Sequence, residues 1–370
     1  MLASAICRCH YQLMAGSSIG EIFKVQTFGV SHTSAGIGAT IDGCPAGIEL
    51  SEADIQPDLD RRRPGQSRLT TQRSESDTVI IQSGVFEGQT TGDPVNLFIP
   101  NTDAKPGAYE PFKDLYRPSH ADFTYEAKYG IRDYYGGARA SARTTAAITA
   151  AGAVAKLVVP DVSFTAYVKS IYDIKAEIPE TVTREMVEAN DVRCPDPEAA
   201  ARMADLIMRL RKEGNSAGGV IEMCISGLPV GLGEPVFDKF DADLAKAIKS
   251  IPAVKAVEFG LGFAATRLLG SEHNDSFYME GDRVRTRTNN SSGTQGGITN
   301  GEDVVLRAAI KPTATIAHEQ ETVTRTGETT TVSGTGRHDV CVLPRAVPIF
   351  EAMAAIVTAD HFLRNRSSRI

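Results

Sequence analysis

At 370 residues, with 42% hydrophobic and 23% charged side chains, the chain has a globular composition and enough length for a substantial core. Its 39 Lys and Arg against 46 Asp and Glu leave a formal charge of −7, which argues against a general nucleic-acid binder. No apolar run reaches the ~20 residues that span a bilayer, and the six scattered cysteines suggest no disulfide framework.

In chain order, residues 1–15 hold one arginine and no carboxylate and read as an N-terminal extension before Gly16-Ser17-Ser18. Cys7-Arg8-Cys9-His10 lacks a second ligand pair at zinc spacing, so no metal site is expected. The reduced thiols point to the cytoplasm, or to the plastid stroma if residues 1–15 are the remnant of a presequence. Strands are expected over 23–28, 78–81, 95–99, 164–168, 220–225 and 304–310. Helices are expected over 143–159, from the Asp196-Pro197 cap to Gly214, over 244–251 and over 348–364. The stretches 58–76, 101–135 and 274–299 read as loops, and loops longer than about 15 residues are usually functional. No Pro/Ser linker divides the chain, so a single α+β domain over 16–370 is expected.

The charged motifs lie on or beside those loops. Asp60-Arg61-Arg62-Arg63-Pro64-Gly65-Gln66, with Arg68 and Arg73, puts five arginines into thirteen positions. On an acidic chain this cluster suggests a small, multiply charged ligand, because the guanidinium fork matches phosphate or carboxylate in two hydrogen bonds. Arg117-Pro118-Ser119-His120-Ala121-Asp122 and Gly336-Arg337-His338-Asp339 each set an arginine beside a histidine and a carboxylate. His32, after the Gly29-Val30-Ser31 turn, and His120 are candidate proton donors. Asp339 can serve as a base or pair with an arginine. Gly136-Gly137-Ala138-Arg139-Ala140-Ser141-Ala142-Arg143 opens an Ala-rich helix and can cradle an anion, and Lys311-Pro312-Thr313-Ala314-Thr315 adds a cation and two hydroxyls.

Taken together with Ile41-Asp42-Gly43-Cys44-Pro45-Ala46-Gly47, the segment from Gly231 to Asp238, and Gln295-Gly296-Gly297-Ile298, these strings resemble the chorismate synthase family over almost the whole chain. The resemblance implies a β-α-β sandwich and a homotetramer. It implies 1,4-anti elimination of phosphate from 5-enolpyruvylshikimate 3-phosphate to give chorismate with reduced FMN, NADPH entering only if flavin reduction is built in. His32 then matches the donor to the leaving phosphate, His120 the donor to the reduced flavin, and Asp339 the group that keeps flavin N5 unprotonated. Arg62, Arg63, Arg68, Arg117, Arg143 and Arg345 become the expected substrate ligands. Flavin contacts are expected at Arg139, Ala140, Ser141, Ala253, Gly296, Lys311, Pro312, Thr313, Ala314, Thr315 and Arg337. Neither nucleic acid nor membrane is an expected partner.

The sequence departs from the family pattern in several loops. Val30 and Thr33 replace a glutamate and a glycine around His32, and one extra residue separates His32 from Asp42. Ala138, Ala140, Thr144, Ser292, Thr294 and Val340 are further substitutions. Misplacing a catalytic group by about an ångström can cost on the order of 10²-fold. A lapsed homologue that binds a flavin or an anionic metabolite with poor turnover is therefore the second reading.

Overall fold

Two antiparallel sheets form the frame, with side chains alternating in and out most clearly along 95–100 and 304–310. The computed structural model describes residues 16–71, 73, 75–334 and 338–369, so the extension expected over 1–15 lies outside the described residues. Strands β1 (Ser18–Ile19), β2 (Lys24–Gly29), β3 (Gly36–Asp42), β4 (Ile80–Ser83) and β5 (Val95–Pro100) pair in the order β1-β2-β3-β5-β4. In β5, Val95, Leu97 and Ile99 face the core. The second sheet joins β6 (Ser163–Ile171), β7 (Ile174–Lys175), β8 (Gly219–Ser226), β9 (Val254–Phe259) and β10 (Val304–Ile310) in the order β9-β10-β8-β6-β7. Its central register runs from Gly219 opposite Ile310 to Ile225 opposite Val304.

Helices complete the fold. The principal ones are α1 (Glu52–Arg62), α2 (Asp122–Tyr129), α3 (Thr145–Val158), α4 (Pro197–Glu213), α5 (Phe240–Ser250) and α6 (Leu343–Asn365). Helix α3 packs on β3 and β5, α6 packs on β6 and β8, and the two helices pack on each other. The architecture is the expected β-α-β sandwich of the α+β class. A Cβ on Gly152 would come within 2.4 Å of the Ala352 Cα, so only glycine lets α3 and α6 approach this closely. Among the described residues, α6 alone is long and apolar enough to cross a membrane. Its apolar stretch is 89% buried between the sheets, which accounts for a circumference that is apolar all round.

Helix α4 starts and stops where the sequence signals lie, with the Asp196 carboxylate accepting from Glu198 N and Ala199 N and Gly214 in the left-handed region. Four stretches differ from expectation. Helix α6 begins at Leu343 and continues through Pro348, whose cost in a helix interior is offset by burial on all sides. Residues 58–62 belong to α1, while 101–135 contains the 3₁₀ turn Pro106–Phe112 and α2. Residues 274–299 include the hairpin Phe277–Glu280 with Arg283–Thr286. These elements are short and polar, so their apolar periodicity is weak.

Candidate active site

Helix α1 buries Ile55, Asp58, Leu59 and Arg62, a helical i, i+3, i+4, i+7 face that carries one arginine of the cluster inward. Arg62 is 1% exposed and its three nitrogens donate to Asp77 Oδ2 (2.8 Å), the Ala142 carbonyl (2.5 Å) and Thr145 Oγ1 (3.2 Å). Arg143 Nη1 donates to the other oxygen of Asp77, and its remaining nitrogens to Asn101 Oδ1 (2.9 Å) and the Pro100 carbonyl (3.0 Å). Burial alone would raise the Asp77 pKa, but Arg62 and Arg143 more than offset it and hold the carboxyl below its usual range. Burial pushes the Arg62 guanidinium down to about 10, so it stays charged at neutral pH. Asp77 is thus a buried anion clamping two cations at the wall of a cavity of about 690 Å³.

Both candidate histidines line that cavity. His32 Nδ1 lies 2.8 Å from Ser31 Oγ, and the Tyr109 ring meets the imidazole edge-on at 4.9 Å. His120 Nδ1 lies 3.0 Å from the Pro118 carbonyl, which can only accept, so Nδ1 carries a proton. In the neutral ring Nε2 is then the acceptor, and Thr315 Oγ1 donates to it at 3.1 Å. Burial first, and the Arg117 charge second, lower the His120 pKa from its ordinary value of 6.5. We therefore expect His120 in the ligand-free protein to titrate below 6.5, and Arg117→Gln to raise that value. Imidazole chemical shifts followed against pH measure both, and an unchanged midpoint in Arg117→Gln would contradict this assignment. Asp339 Oδ1 accepts from Thr71 N (2.9 Å) and Oδ2 from Arg345 Nη1 (2.5 Å). Arg345 is thus a partner of Asp339; Arg337, the neighbour considered from sequence, lies outside the described residues.

Among the described residues, eight guanidinium or ammonium groups and only three carboxylates line the cavity. The 3₁₀ turn Ala142–Thr144 and Thr145, the first residue of α3, also border it, adding the positive end of a helix dipole. An apolar wall of Ile251, Pro252, Ala253, Val342, Ala346 and Ile349 completes the enclosure. Thr313 Oγ1 is a buried hydroxyl with no partner among the described residues, a group that a polar ligand would satisfy. The arrangement suits a flat apolar group with anionic substituents beside a second anionic molecule, and can deliver protons to either.

A sequence model of the chorismate synthase family matches residues 23–363. The chain belongs to the chorismate synthase family. A chorismate synthase from Cyanothece sp. is 55% identical over 356 residues, 95% of this chain and 98% of the relative. Another, from Gloeothece citriformis, is 57% identical over 355 residues with the same coverage. A crystal structure of chorismate synthase superimposes with a TM-score of 0.73 at 32% identity, covering 94% of this chain and 93% of the other.

Of the residues expected at a chorismate synthase site, His32, His120, Asp339, Arg62, Arg117, Arg143, Arg345, Ala140, Ser141, Ala253, Lys311, Pro312, Thr313, Ala314 and Thr315 border the one cavity. Others are elsewhere. Arg63 is exposed beside Asp60 at 3.8 Å, Arg68 is exposed, and Gly296 lies in the turn between Thr294–Gln295 and Ile298–Thr299. Arg139 donates to the Gly29 and Thr27 carbonyls and to Thr27 Oγ1, bracing β2 rather than facing the cavity. Arg73, Lys105, Tyr109 and Arg132 line the cavity without having been expected there. Arg73 closes the thirteen-residue arginine cluster and was legible as such, whereas Tyr109 and Arg132 carry no local signal.

The departures are met by local compensation. Ser34 Oγ accepts from Val30 N and lies within donating distance of the Val30 (2.8 Å) and Gly36 (2.6 Å) carbonyls, closing the turn that the extra residue lengthens. Ser292, at φ +60°, uses its hydroxyl to pair with both Val305 N and the Val305 carbonyl at 2.6 Å. Ala138 has φ +44°, a region that costs an L-residue roughly 1–2 kcal/mol and glycine little. Ala138→Gly should therefore stabilise the protein by up to about 1 kcal/mol, read as a higher urea midpoint. A lower midpoint would show that the alanine methyl is packed favourably.

Proposed function

We propose that this cavity performs the 1,4-anti elimination of phosphate from 5-enolpyruvylshikimate 3-phosphate that gives chorismate. The observation that carries the reading is convergence: on a chain of net charge −7, two histidines, Asp339 and a cluster of guanidinium groups meet in one enclosure. The substrate brings a phosphate and two carboxylates. Cationic walls around a low-dielectric space concentrate such an anion. Arg62 and Arg143 already satisfy the buried Asp77, so they supply field and shape. Arg117 is held by a bidentate pair with Asp122 and by the rings of Tyr109 and Phe112.

His32, oriented by Ser31 and Tyr109, donates a proton to the departing phosphate. His120 is the second donor. Its lowered pKa leaves it largely neutral in the empty cavity, and an entering anion restores the proton by linkage. Asp339, fixed by Thr71 N and Arg345, presents a carboxylate held in one orientation. Reduced FMN is the group we place against Ala253 and the segment from Lys311 to Thr315, where the Thr313 hydroxyl, unpartnered among the described residues, and the apolar wall support the fit. When bound it supplies the electron-rich ring that assists C–O cleavage and accepts the C6 hydrogen.

We also place the chain in a homotetramer. Phe237 (90% exposed), Phe263 (79%) and Leu269 (70%) are apolar surface of the kind that marks an interface. Light scattering should return the mass of four chains, and Phe237→Asp with Phe263→Asp a smaller species; a parent that runs as a monomer contradicts the assembly. We assign the chain to the cytoplasm or plastid stroma, a reading the cyanobacterial relatives support. Growth of a bacterial strain lacking its own chorismate synthase tests the function. Expression of this chain should remove the need for aromatic supplements, and continued dependence despite folded protein would count against the reading.

A further inference from the structure

We propose that Thr33 and Asp133 form a positioning pair that sets the His32 ring in the cavity, replacing the constraint that a glycine-bearing tight turn supplies in the family pattern. The inference rests on the reading of His32 as a proton donor. Thr33 Oγ1 donates to Asp133 Oδ2 at 2.5 Å, joining residues one hundred positions apart. The other carboxylate oxygen of Asp133 accepts from Tyr135 N at 3.1 Å, so this acceptor is itself fixed. The segment that carries it is anchored next door. Arg132 donates to the carbonyls of Leu115, Phe112 and Lys113, and its guanidinium lies 3.4 Å from Asp122.

The same segment presses on the histidine. Gly136 has φ +148°, and a Cβ there would come within 2.7 Å of His32 Nδ1 and 2.9 Å of Ser31 Oγ. The base of the His32 loop is closed by Ser34 and by Asn101 Nδ2, which donates to the Val30 and Ser34 carbonyls. Its tip is tied to the Asp133 segment through Thr33. With the tip bond made, His32 is confined between Gly136 and the Tyr109 ring. Without it, a loop one residue longer than the family pattern regains conformations that a proton transfer does not tolerate.

The test compares Thr33→Val, Thr33→Ser and Asp133→Ala in the parent and in a His32→Ala background. Single-turnover phosphate release and the His32 Cε1–H resonance of the flavin-free protein are followed. A charge-assisted hydrogen bond at an exposed site is worth about 5- to 10-fold in the step it serves. Thr33→Val and Asp133→Ala should each lose that factor in rate with flavin affinity unchanged, and Thr33→Ser should stay within about 2-fold of the parent. Both slow variants should move the His32 resonance, which the Tyr109 ring current displaces, and neither should slow His32→Ala further. Parental rates in both variants, or an equal extra loss in the His32→Ala background, would overturn the pair. If His32→Ala itself keeps the parental rate, the donor reading fails instead, and the resonance alone decides whether Thr33 and Asp133 position the ring.

Discussion

His32→Ala and His120→Ala will each slow turnover by about 10²-fold or more at saturating reduced flavin, with the fold intact. General acid catalysis by a positioned side chain is typically worth about 10²–10⁴-fold. Neither ring is a core element: both line the cavity, His32 with Nδ1 beside Ser31 Oγ and His120 between the Pro118 carbonyl and Thr315 Oγ1. Truncation therefore removes a proton and little packing. The two variants should differ in their pH response. His120 has a lowered pKa in the free protein, so activity that needs its protonated form falls as pH rises, and an anion bound nearby shifts that fall upward. His120→Ala should flatten this alkaline limb. Equal rates for either variant and the parent would remove that histidine from the mechanism.

Asp77→Ala is expected to cost about 3–5 kcal/mol of stability, because removing one partner of a buried ion pair leaves uncompensated charge. Here one carboxylate serves two guanidiniums, Arg62 and Arg143, whose side chains are 1% and 2% exposed. The loss should appear as a large drop in urea midpoint and, in whatever protein remains folded, a weakened affinity for the anionic substrate. The pH dependence has a definite sign. The folded-state pKa of Asp77 is depressed, so its contribution is present above the unfolded carboxyl value and is lost as pH falls through the folded one. Asp77→Asn should be destabilised at neutral pH and flatter in acid. A midpoint within about 0.5 kcal/mol of the parent would mean that Arg62 and Arg143 find other partners.

The arginine cluster reads from sequence as an anion site, and the structure brings its motifs to one cavity. The division of labour among the arginines was not legible. A guanidinium fork that suits phosphate suits an internal carboxylate equally well, and Asp77 lies 15 positions from Arg62 and 66 from Arg143. Helical spacing within α1 does carry Arg62 inward, but only once α1 itself is recognised. Strand β3, with the sequence Gly-Ile-Gly-Ala-Thr-Ile-Asp, escaped for a packing reason. Its glycines leave room for aromatic neighbours: a Cβ on Gly36 would meet the Phe98 ring at 2.5 Å, and one on Gly38 the Phe28 ring at 2.3 Å. Low strand propensity is overridden there by cross-strand rings. The lapsed-homologue reading is not favoured, since chorismate synthases match this chain at 55–57% identity over 95% of its length; the Ser34 and Ser292 hydrogen bonds that close the altered loops were not legible in sequence.

The central claim is that this cavity eliminates phosphate rather than merely binding anions. Anaerobic single turnover with chemically reduced FMN and 5-enolpyruvylshikimate 3-phosphate tests it most directly. Chorismate and inorganic phosphate should appear in equal amounts while the flavin ends reduced. Tight binding of both molecules with no chorismate formed would contradict the account.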